Sequence, residues 1–442
     1  MESIPALNWW QPEAMAVPDG PSAVDAPRAV ARGPWPFRAL AAFTVVLIAA
    51  PQEFFSALKP FHLALATAVV AIACQAVQSM NDVSVKRPVP VAIPLVLALS
   101  AWAVAMVPLS YWPRGSLAML FGLYFKSVAI FVLLATVISS RRRLVAIAWT
   151  LGLCMVPIAV VALLHFRDGV FLASAPGRIV GYGTSGLAGN PNDLALLLNL
   201  VIPILVALSV GQRGARRWLA LGIAAVCVAA VIATFSRSGF LTLATTAVLC
   251  LWRMVRENRL GAAALIVAAI LGAVLLAPSG YAARLSTVTD IQTDTTQSAQ
   301  NRWRDTVVAA EFVVRHPVIG AGAGMDYLAL NDLRGAAWLS VHNAYLNYAV
   351  DLGLPGLVLF LWLLSTSFAG VWRVERRGGP AGDALAPMAA AVRISLSAFA
   401  VAACFYPIAY HAYFYYIAGL AVAIPRIAGS NAAPAAGAEV TA

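Results

Sequence analysis

Histidine and arginine side chains stand where long apolar stretches of the chain begin or end. His342 lies where a polar segment gives way to an apolar stretch. The unperturbed pKa of an imidazole is about 6.5, so His342 can serve as a general base near neutral pH. Arg237 lies in a short polar turn between two apolar stretches, and Arg302 opens a polar segment with helical periodicity. A planar guanidinium forms paired hydrogen bonds with phosphate, so both arginines are candidates for holding an anion.

Each candidate also has a structural interpretation, and the sequence leaves both open. Arg237 can reach lipid headgroups from the membrane boundary, Arg302 can be solvated, and a histidine at a helix start is more often structural than catalytic. Three other histidines compete for the catalytic role: His165, His316 and His411. His411 lies in a cluster of Phe and Tyr between positions 405 and 416, which is typical of an aromatic belt at a membrane interface.

A Gly-Asn-Pro-Asn-Asp sequence opens another apolar stretch. Asn190 fits the N-cap of a helix, Pro191 its first position, and Asp193 its first turn. The alternative is that this helix start binds an anion with its free N–H groups, together with the preceding residues 181–183. Asn190 and Asn192 are therefore candidates both for capping and for ligand binding.

Three ionisable residues lie inside apolar stretches: Lys126, Asp351 and Arg393. Charged groups are costly within a membrane unless they are paired or hydrated. If the stretch after His342 is helical, Asp351 lies about 13 Å deeper, and His342 and Tyr345 share one face. We expect Asp351 to pair with Lys126, with Arg393 as the less favoured partner.

The overall composition is that of a membrane protein. Of the 442 residues, 61% are apolar and 11% are charged, whereas soluble domains are about half apolar and about a quarter charged. This composition excludes a soluble enzyme, a disordered chain and a coiled coil. The net charge of +11 comes from short basic clusters between apolar stretches, a pattern that sets membrane topology and does not indicate nucleic-acid binding. The five cysteines lie within apolar stretches and are expected to be core residues, not disulfides or metal ligands.

A helix needs about 20 apolar residues to cross a bilayer, and twelve stretches qualify. They are 39–57, 61–79, 89–109, 117–138, 144–165, 192–210, 216–234, 239–255, 260–278, 341–371, 386–408 and 411–427. The sequence therefore predicts an all-α polytopic membrane protein with about 12 transmembrane helices. Lys and Arg cluster on one side of these helices, which predicts that both termini are cytoplasmic.

The predicted organisation has five parts: a cytoplasmic N-terminal tail at 1–38, transmembrane helices 1–9 at 39–278, a long outer loop at 279–340, transmembrane helices 10–12 at 341–427, and a cytoplasmic C-terminal tail at 428–442. Outer loops of this length are usually functional. Within the loop, four apolar residues recur with helical spacing: Trp303, Val307, Ala310 and Val314. His316 and Pro317 end the predicted helix. We expect this amphipathic helix to lie on the outer leaflet.

Taken in chain order, these motifs resemble the O-antigen ligase/polymerase superfamily of bacterial inner-membrane glycosyltransferases. The matching pieces are Gly189-Asn190-Pro191-Asn192, Ser236-Arg237, Arg302-Trp303, His316-Pro317, Gly320-Ala321-Gly322, His342-Asn343 with Tyr345-Leu346, and Leu352-Gly353-Leu354-Pro355-Gly356. The resemblance rests on motifs between positions 180 and 360, and on hydropathy elsewhere.

The resemblance implies a multi-pass enzyme whose active site lies on the periplasmic side of the bacterial inner membrane. It implies a glycan linked to undecaprenyl diphosphate as donor and lipid A–core oligosaccharide as acceptor. By the same resemblance, Arg237 and Arg302 hold the diphosphate and His342 acts on the acceptor hydroxyl. Four residues are expected to support the site: Asn190, Asn192, Asn343 and Tyr345. No cofactor or metal is expected, because arginine can neutralise the leaving group, although Asp290 and Asp294 could bind a cation.

Other functions fit part of the same pattern. An O-antigen polymerase would extend the glycan itself, and a protein O-oligosaccharyltransferase would move it onto a protein. About twelve spans, one long outer loop and no large C-terminal domain favour the ligase. From a different class, a transporter of lipid-linked glycans would use Lys126, Asp351 and Arg393 as its path, but the internal repeats common in transporters are not evident. A non-catalytic membrane subunit is a further alternative.

Overall fold

The computed structural model describes residues 33–81, 89–172, 175–183, 187–258, 298–335, 338–376 and 380–436, with 261, 264 and 267 as isolated positions. Its α-helices are, in chain order, α1 (Trp35–Ala49), α2 (Leu63–Asn81), α3 (Ala92–Ala105), α4 (Pro113–Met119), α5 (Phe125–Val137), α6 (Arg141–Arg167), α7 (Pro191–Gly211), α8 (Ala215–Ala233), α9 (Arg237–Arg256), α10 (Ser298–Arg315), α11 (Asp326–Arg334), α12 (Ala344–Arg376), α13 (Pro380–Ala402) and α14 (Ala412–Ala436). Short 3-10 turns occur at Pro51–Glu53, Ser56–Phe61 and Val107–Leu109, and a π-helical turn, Leu120–Tyr124, joins α4 to α5. Two antiparallel strands, β1 (Phe171–Leu172) and β2 (Ala175–Ile179), form a hairpin between α6 and α7.

Eleven helical segments in the described ranges are long and apolar enough to cross a membrane. They coincide with eleven of the twelve predicted spans, so the all-α polytopic architecture is confirmed. The remaining predicted span, 260–278, lies outside the described residues except at three isolated positions. The first span differs at its end, because α1 stops at Ala49 and Pro51 opens a 3-10 turn that cannot continue the helix.

Helices α7 and α14 form the centre of the bundle. The most apolar part of each is 83% buried, against 11% for α2. Helix α7 packs against α6, α8, α9 and α13, while α14 packs against α5, α12 and α13. A helix that is apolar all round is expected at such a position, whereas α2 presents most of its apolar side chains outward, as a lipid-facing helix does.

The aromatic cluster near the C-terminus lies inside the bundle, so its prediction as an interfacial belt is wrong. Six of its rings are buried: Tyr406, Tyr410, Tyr413, Phe414, Tyr415 and Tyr416. The ring centroid of Tyr410 lies 5.5 Å from that of Tyr124 and 5.2 Å from that of Tyr348. The physical reason is that α14 is central, so its first turns face α5 and α12 and not the lipid headgroups.

Helix α12 is kinked at Gly353, where the backbone leaves helical geometry (φ 69°, ψ −177°). The kink turns the N–H of Leu354 outward, and this group donates to the carbonyl of Pro317 at 2.8 Å. Glycine is needed at 353 because its φ lies in the left-handed region and because an added Cβ would lie 2.3 Å from the carbonyl oxygen of Val318. The long outer loop therefore docks on a break in a membrane helix.

The break leaves two carbonyls of α12 without their usual helical donors. Val350 O would normally accept from the N–H of Leu354, which is engaged elsewhere, and Asp351 O from residue 355, which is a proline without an N–H. The outer loop supplies the missing donors at 2.8 Å each, from Ala321 to Val350 O and from Gly322 to Asp351 O. Close approach of the two backbones explains the small residues of the loop, since an added Cβ on the neighbouring glycine, at position 320, would lie 2.4 Å from the backbone of α12.

The predicted ion pair between Asp351 and Lys126 is wrong. The carboxylate instead accepts three backbone N–H groups, from Gly324, Met325 and Asp326, at 2.8, 3.0 and 2.8 Å. Backbone donors from the docked loop satisfy this buried charge, so a cation from another helix is not needed.

Arg393 is not the partner of Asp351 either. Its guanidinium donates to both carboxylate oxygens of Glu375, at 2.6 and 3.0 Å. Arg253 donates to the same carboxylate at 2.7 Å. Three helices, α9, α12 and α13, are thus joined by one half-buried charge cluster.

The kink generates a prediction about stability. We expect Gly353→Ala to lower the free energy of unfolding by about 1–3 kcal/mol, because alanine is strained at this φ and its Cβ would meet the carbonyl of Val318. The matched control is Gly222→Ala on α8, where an added Cβ meets no atom within 4 Å and the higher helix propensity of alanine should help slightly. Thermal unfolding followed by tryptophan fluorescence in detergent measures both, and equal midpoints for the two variants would contradict the docking argument.

Candidate functional site

The start of α7 is held by Asn190, which is the N-cap that the sequence predicts. Its Oδ1 accepts the N–H groups of Asn192 (2.9 Å) and Asp193 (3.0 Å). Asn192 has a different role. Its Oδ1 accepts hydrogen bonds from Nη2 of Arg178 (2.6 Å) and from Oγ of Ser236 (2.7 Å). Asn192 therefore joins the β-hairpin and the start of α9 to the start of α7.

Arg237 is the first residue of α9 and is half-buried. Ser236 caps the helix, since its Oγ accepts the N–H of Gly239 at 3.1 Å. Gly239 lets α9 approach α7 closely, because an added Cβ there would lie 2.6 Å from the Cβ of Ala195. The N-termini of α7 and α9 therefore lie side by side, and both helix dipoles favour an anion near Arg237.

Tyr406, in the connection between α13 and α14, contacts the same helix start. Its hydroxyl lies 3.5 Å from Oγ of Ser236. Burial raises the pKa of Tyr406, and the positive charge of Arg302 acts in the opposite direction. Arg302 therefore lies close enough to the start of α9 for its charge to act on Tyr406.

Arg302 is carried by α10, which confirms the predicted helix in the long outer loop. The helix ends at Arg315, directly before His316, as the sequence predicts. Its apolar stripe is exposed at all four positions: Trp303, Val307, Ala310 and Val314. The stripe is thus available to lipid, and its contact with the outer leaflet stays a prediction.

The opposite face of α10 is fastened to α11 by an ion pair. Nη1 of Arg334 lies 2.6 Å from Oδ1 of Asp305, and the two side chains are only 2% and 11% exposed. Asp305 follows Arg302 by three residues, so the two side chains lie on neighbouring positions of one helix face. This pair fixes the orientation of α10 and with it the position of Arg302.

His342 lies just before α12 and not within it. Asn343 caps the helix, because its Oδ1 accepts the N–H groups of Tyr345 (3.0 Å) and Leu346 (3.1 Å). The prediction that His342 and Tyr345 share a helix face is therefore wrong: the cap separates them. The hydroxyl of Tyr345 donates to the carbonyl of Ala400 at 2.9 Å, which anchors α12 to α13.

The imidazole of His342 is neutral at pH 7. Burial lowers its pKa to about 4, the charges of Arg302 and Arg334 act in the same direction, and that of Asp305 opposes them. Its Nδ1 is buried and has no hydrogen-bond partner in the described part of the chain. A neutral imidazole with an unengaged ring nitrogen can accept a proton, as a general base must.

The structure thus links several of the predicted site residues. Asn192 is bonded to the start of α9, which carries Arg237, and the charge of Arg302 acts both on Tyr406 beside that start and on His342. Lys126 and Arg393 have no such link, and Arg393 is engaged by Glu375. Asp351 reaches the site only indirectly, through the loop residues that it binds.

The three competing histidines have local structural contacts. Nδ1 of His165 lies 2.9 Å from the carbonyl of Val180, and the ring of His316 stacks on that of Phe312 at 4.4 Å. His411 stacks on a tyrosine inside the aromatic cluster, and burial lowers its pKa to about 4. None of these contacts includes Arg237 or Arg302.

Groups of three or more His, Cys, Asp or Glu suited to a metal ion are not found among the residues that the structure describes. The two cation candidates of the sequence, Asp290 and Asp294, lie outside the described residues. The absence of a metal site stays a prediction.

A comparison with protein-family models indicates the class of protein to which this segment is similar. Residues 222–361 match the family model described as O-Antigen ligase. This segment is similar to the O-antigen ligase family. It contains Arg237, Arg302 and His342. A comparison with curated proteins found no match.

The predicted resemblance is thereby confirmed at the level of the superfamily, whose members are membrane glycosyltransferases. The eleven long apolar helices of the described ranges indicate a multi-pass membrane protein. The O-antigen ligase segment begins within α8 and ends in α12 after the kink. It therefore includes the tight α8–α9 turn, the amphipathic helix and the docked part of the outer loop.

Sequence reasoning missed some residues of the candidate site. Ser236 could have been identified as a helix cap from its place before an apolar stretch, and Asp305 from its spacing of three from Arg302. Tyr406 and Arg178 carry no comparable local signal. Both come from chain segments more than 50 residues from Arg237 in sequence, and only the packing of α7, α9 and α13 brings them near it.

The ion pair between Asp305 and Arg334 generates a second stability prediction. Asp305→Asn leaves the charge of Arg334 buried without its carboxylate, which costs about 3–5 kcal/mol for a buried pair. Hydrogen exchange of α11 amides should accelerate accordingly. Glu311→Gln is the control on the same helix, because its pair with Arg315 is exposed and such pairs contribute about 0–1 kcal/mol. Equal exchange rates in the two variants would show that the pair does not hold α10.

Proposed function

We propose that this protein is an O-antigen ligase. It transfers a glycan from undecaprenyl diphosphate to lipid A–core oligosaccharide at the periplasmic face of the inner membrane. The observation that carries the proposal is that the segment matching the family contains Arg237, Arg302 and His342. The charge of Arg302 acts on the pKa of both His342 and Tyr406, and the hydroxyl of Tyr406 lies 3.5 Å from Oγ of Ser236 at the start of α9. Two cationic groups and one neutral base suit the displacement of a diphosphate by a hydroxyl.

The leaving group requires stabilisation of negative charge. As the bond between the sugar C1 and the diphosphate oxygen breaks, the electron pair stays on the diphosphate. Arg237 adds its charge to the positive end of the α9 dipole, and Arg302 approaches from α10. Fixed guanidiniums can neutralise this charge without a metal or another cofactor.

The attacking hydroxyl requires a base. His342 accepts the hydroxyl proton while the acceptor oxygen forms its bond to C1. A single displacement of this kind inverts the anomeric configuration. In the free protein, burial and Arg302 lower the pKa of His342 to about 4, so it is a weak base. A bound diphosphate offsets the charge of Arg302 and raises this pKa, so the base becomes stronger when the donor is present.

A transporter and an enzyme place different requirements on the buried charged residues Asp351 and Arg393. A transporter needs polar groups along one path, but Asp351 is occupied by backbone N–H groups and Arg393 by Glu375. These contacts favour the enzyme. An O-antigen polymerase or a protein O-oligosaccharyltransferase would use the same donor chemistry, so acceptor identity separates them from the ligase.

The assignment of roles is tested by glycan transfer in proteoliposomes with a defined donor and lipid A–core. Arg237→Ala, Arg302→Ala and His342→Ala should each lower transfer at least about 100-fold and leave the amount of membrane-inserted protein unchanged. Arg302→Lys should also fail if paired hydrogen bonds to the diphosphate are needed. Arg315→Ala, at the exposed end of α10, is the control with normal transfer. Near-normal transfer by His342→Ala would refute its assignment as the base.

Replacing the acceptor in the same assay separates the superfamily members. The ligase transfers to lipid A–core, a polymerase transfers to a second lipid-linked glycan, and an oligosaccharyltransferase transfers to a protein. If the wild type consumes donor only with a second lipid-linked glycan, the ligase assignment is wrong and a polymerase is supported. If it consumes donor only with a protein acceptor, the ligase assignment is wrong and an oligosaccharyltransferase is supported.

The pH dependence follows from the pKa of His342. This histidine acts in its neutral form, so activity falls as the pH drops through its pKa. We expect protonation of His342 to lower kcat/KM, which reports the free enzyme, only near pH 4. The acid limb of kcat should lie at a higher pH, because the donor diphosphate raises the pKa of His342. A kcat limb at or below the kcat/KM limb would contradict a diphosphate beside Arg302.

A further inference from the structure

A buried carboxylate holds the residues that precede His342. Asp326, the first residue of α11, is 1% exposed. Its Oδ2 accepts the N–H of Val341 at 2.8 Å, and its Oδ1 accepts the hydroxyl of Ser340 at 3.1 Å. One side chain therefore fixes the two residues immediately before the proposed base.

Asp326 is itself fixed by a second buried carboxylate. Oδ1 of Asp351, on α12, accepts the N–H of Asp326 at 2.8 Å and that of Met325 at 3.0 Å, and its Oδ2 accepts the N–H of Gly324 at 2.8 Å. Asp351 is fully buried. The start of α11 is thus tied to a membrane helix, and the segment before His342 is tied to the start of α11.

We propose that Asp326 is a positioning residue for His342, with Asp351 as its anchor on α12. The inference rests on the proposed function, in which His342 is the base. Two carboxylates in series fix the residues before His342 relative to the membrane helices, although His342 lies in a non-helical bend after a long loop. A base must keep its geometry within about 0.5 Å to act efficiently, and a non-helical segment alone does not provide this.

The chemistry of the two carboxylates supports a role beyond loop folding. Burying a carboxylate is costly unless hydrogen bonds compensate, and neither Asp326 nor Asp351 has Lys or Arg within ion-pair distance in the described ranges. Their oxygens accept instead from backbone N–H groups, from the hydroxyl of Ser340 and, at Asp351, from the side-chain amide of Asn347 at 3.4 Å, which are directional partners. Such bonds define positions more narrowly than a flexible surface ion pair does.

Asp326 acts on the position of His342 and not on its charge. The charged groups that shift the pKa of the histidine are Arg302, Asp305 and Arg334, and burial is the largest cause. A change at Asp326 should therefore alter the turnover rate without moving the acid limb of the pH profile. A change that merely loosened the fold would instead reduce the amount of active protein.

The test compares Asp326→Asn with Asp332→Asn, an exposed aspartate on the same helix. The amide that replaces the carboxylate has one oxygen, so it can accept from only one of Val341 and Ser340. We expect Asp326→Asn to lower kcat about 10–100-fold, a range typical of lost positioning. The donor KM should stay within about twofold, because Arg237 and Arg302 are untouched, and the acid limb should not move. Asp332→Asn should match the wild type.

A second measurement does not depend on catalysis. Hydrogen exchange of the peptide spanning residues 338–343 reports the N–H of Val341. It should be faster in Asp326→Ala, whose side chain accepts from neither Val341 nor Ser340, than in the wild type or in Asp332→Asn. Unchanged exchange in Asp326→Ala would overturn the proposed hold, and faster exchange with an undiminished kcat in the same variant would overturn the positioning role.

Ser340→Ala keeps the proposal falsifiable if Asp326→Asn does not fold. Ser340 is half-buried and contributes one of the two bonds, so its loss should lower kcat severalfold and leave the acid limb in place. A normal kcat in Ser340→Ala, with faster exchange at Val341, would count against positioning. If the wild type transfers glycan to no acceptor, the proposed function fails, while the exchange comparison still decides whether Asp326 holds the segment.

Discussion

The break in α12 at Gly353 is the constraint on which the site depends. A glycine and a proline two residues apart leave the carbonyls of Val350 and Asp351 without helical donors. The outer loop supplies those donors, and the carboxylate of Asp351 in turn accepts N–H groups from the next turn of the loop. Loop and helix therefore satisfy each other's unpaired groups, which is how a polar loop can be held tightly against an apolar bundle.

These hydrogen bonds between the loop and the helix also explain the position of the proposed reactive groups. The docked loop fixes the start of α11, the ion pair between Asp305 and Arg334 fixes α10 on α11, and the carboxylate of Asp326 fixes the approach to His342. Arg302 and His342 come from chain segments that are far apart in sequence. Both are nevertheless anchored to the same membrane helix, so their spacing does not depend on the loop's own stiffness.

The charges divide into two groups with different uses. At the proposed site, Arg237 lies at the start of α9 and Arg302 near the start of α10, and burial and the charge of Arg302 lower the pKa of His342. Away from it, Arg253 and Arg393 share the carboxylate of Glu375 and join three helices. The second group uses its charges to hold helices together.

The sequence by itself determined the features that are local. Apolar runs located eleven membrane helices that the structure contains, and side-chain type located the Asn190 cap and the end of α10 before His316. These features depend on neighbours within about one helical turn, so a linear pattern is enough to specify them.

Only the tertiary structure decided which groups meet. The partners of Asp351 are backbone N–H groups about 25 residues earlier in the chain. Every residue except proline carries such a donor, so the residue types in the sequence do not identify these partners. The aromatic cluster is buried because α14 is central, and α14 is central because of contacts with α5, α12 and α13. His342 lies outside the helix because Asn343 caps it, and its charge state depends on α10 and α11. These outcomes depend on contacts between distant segments, which side-chain periodicity does not encode.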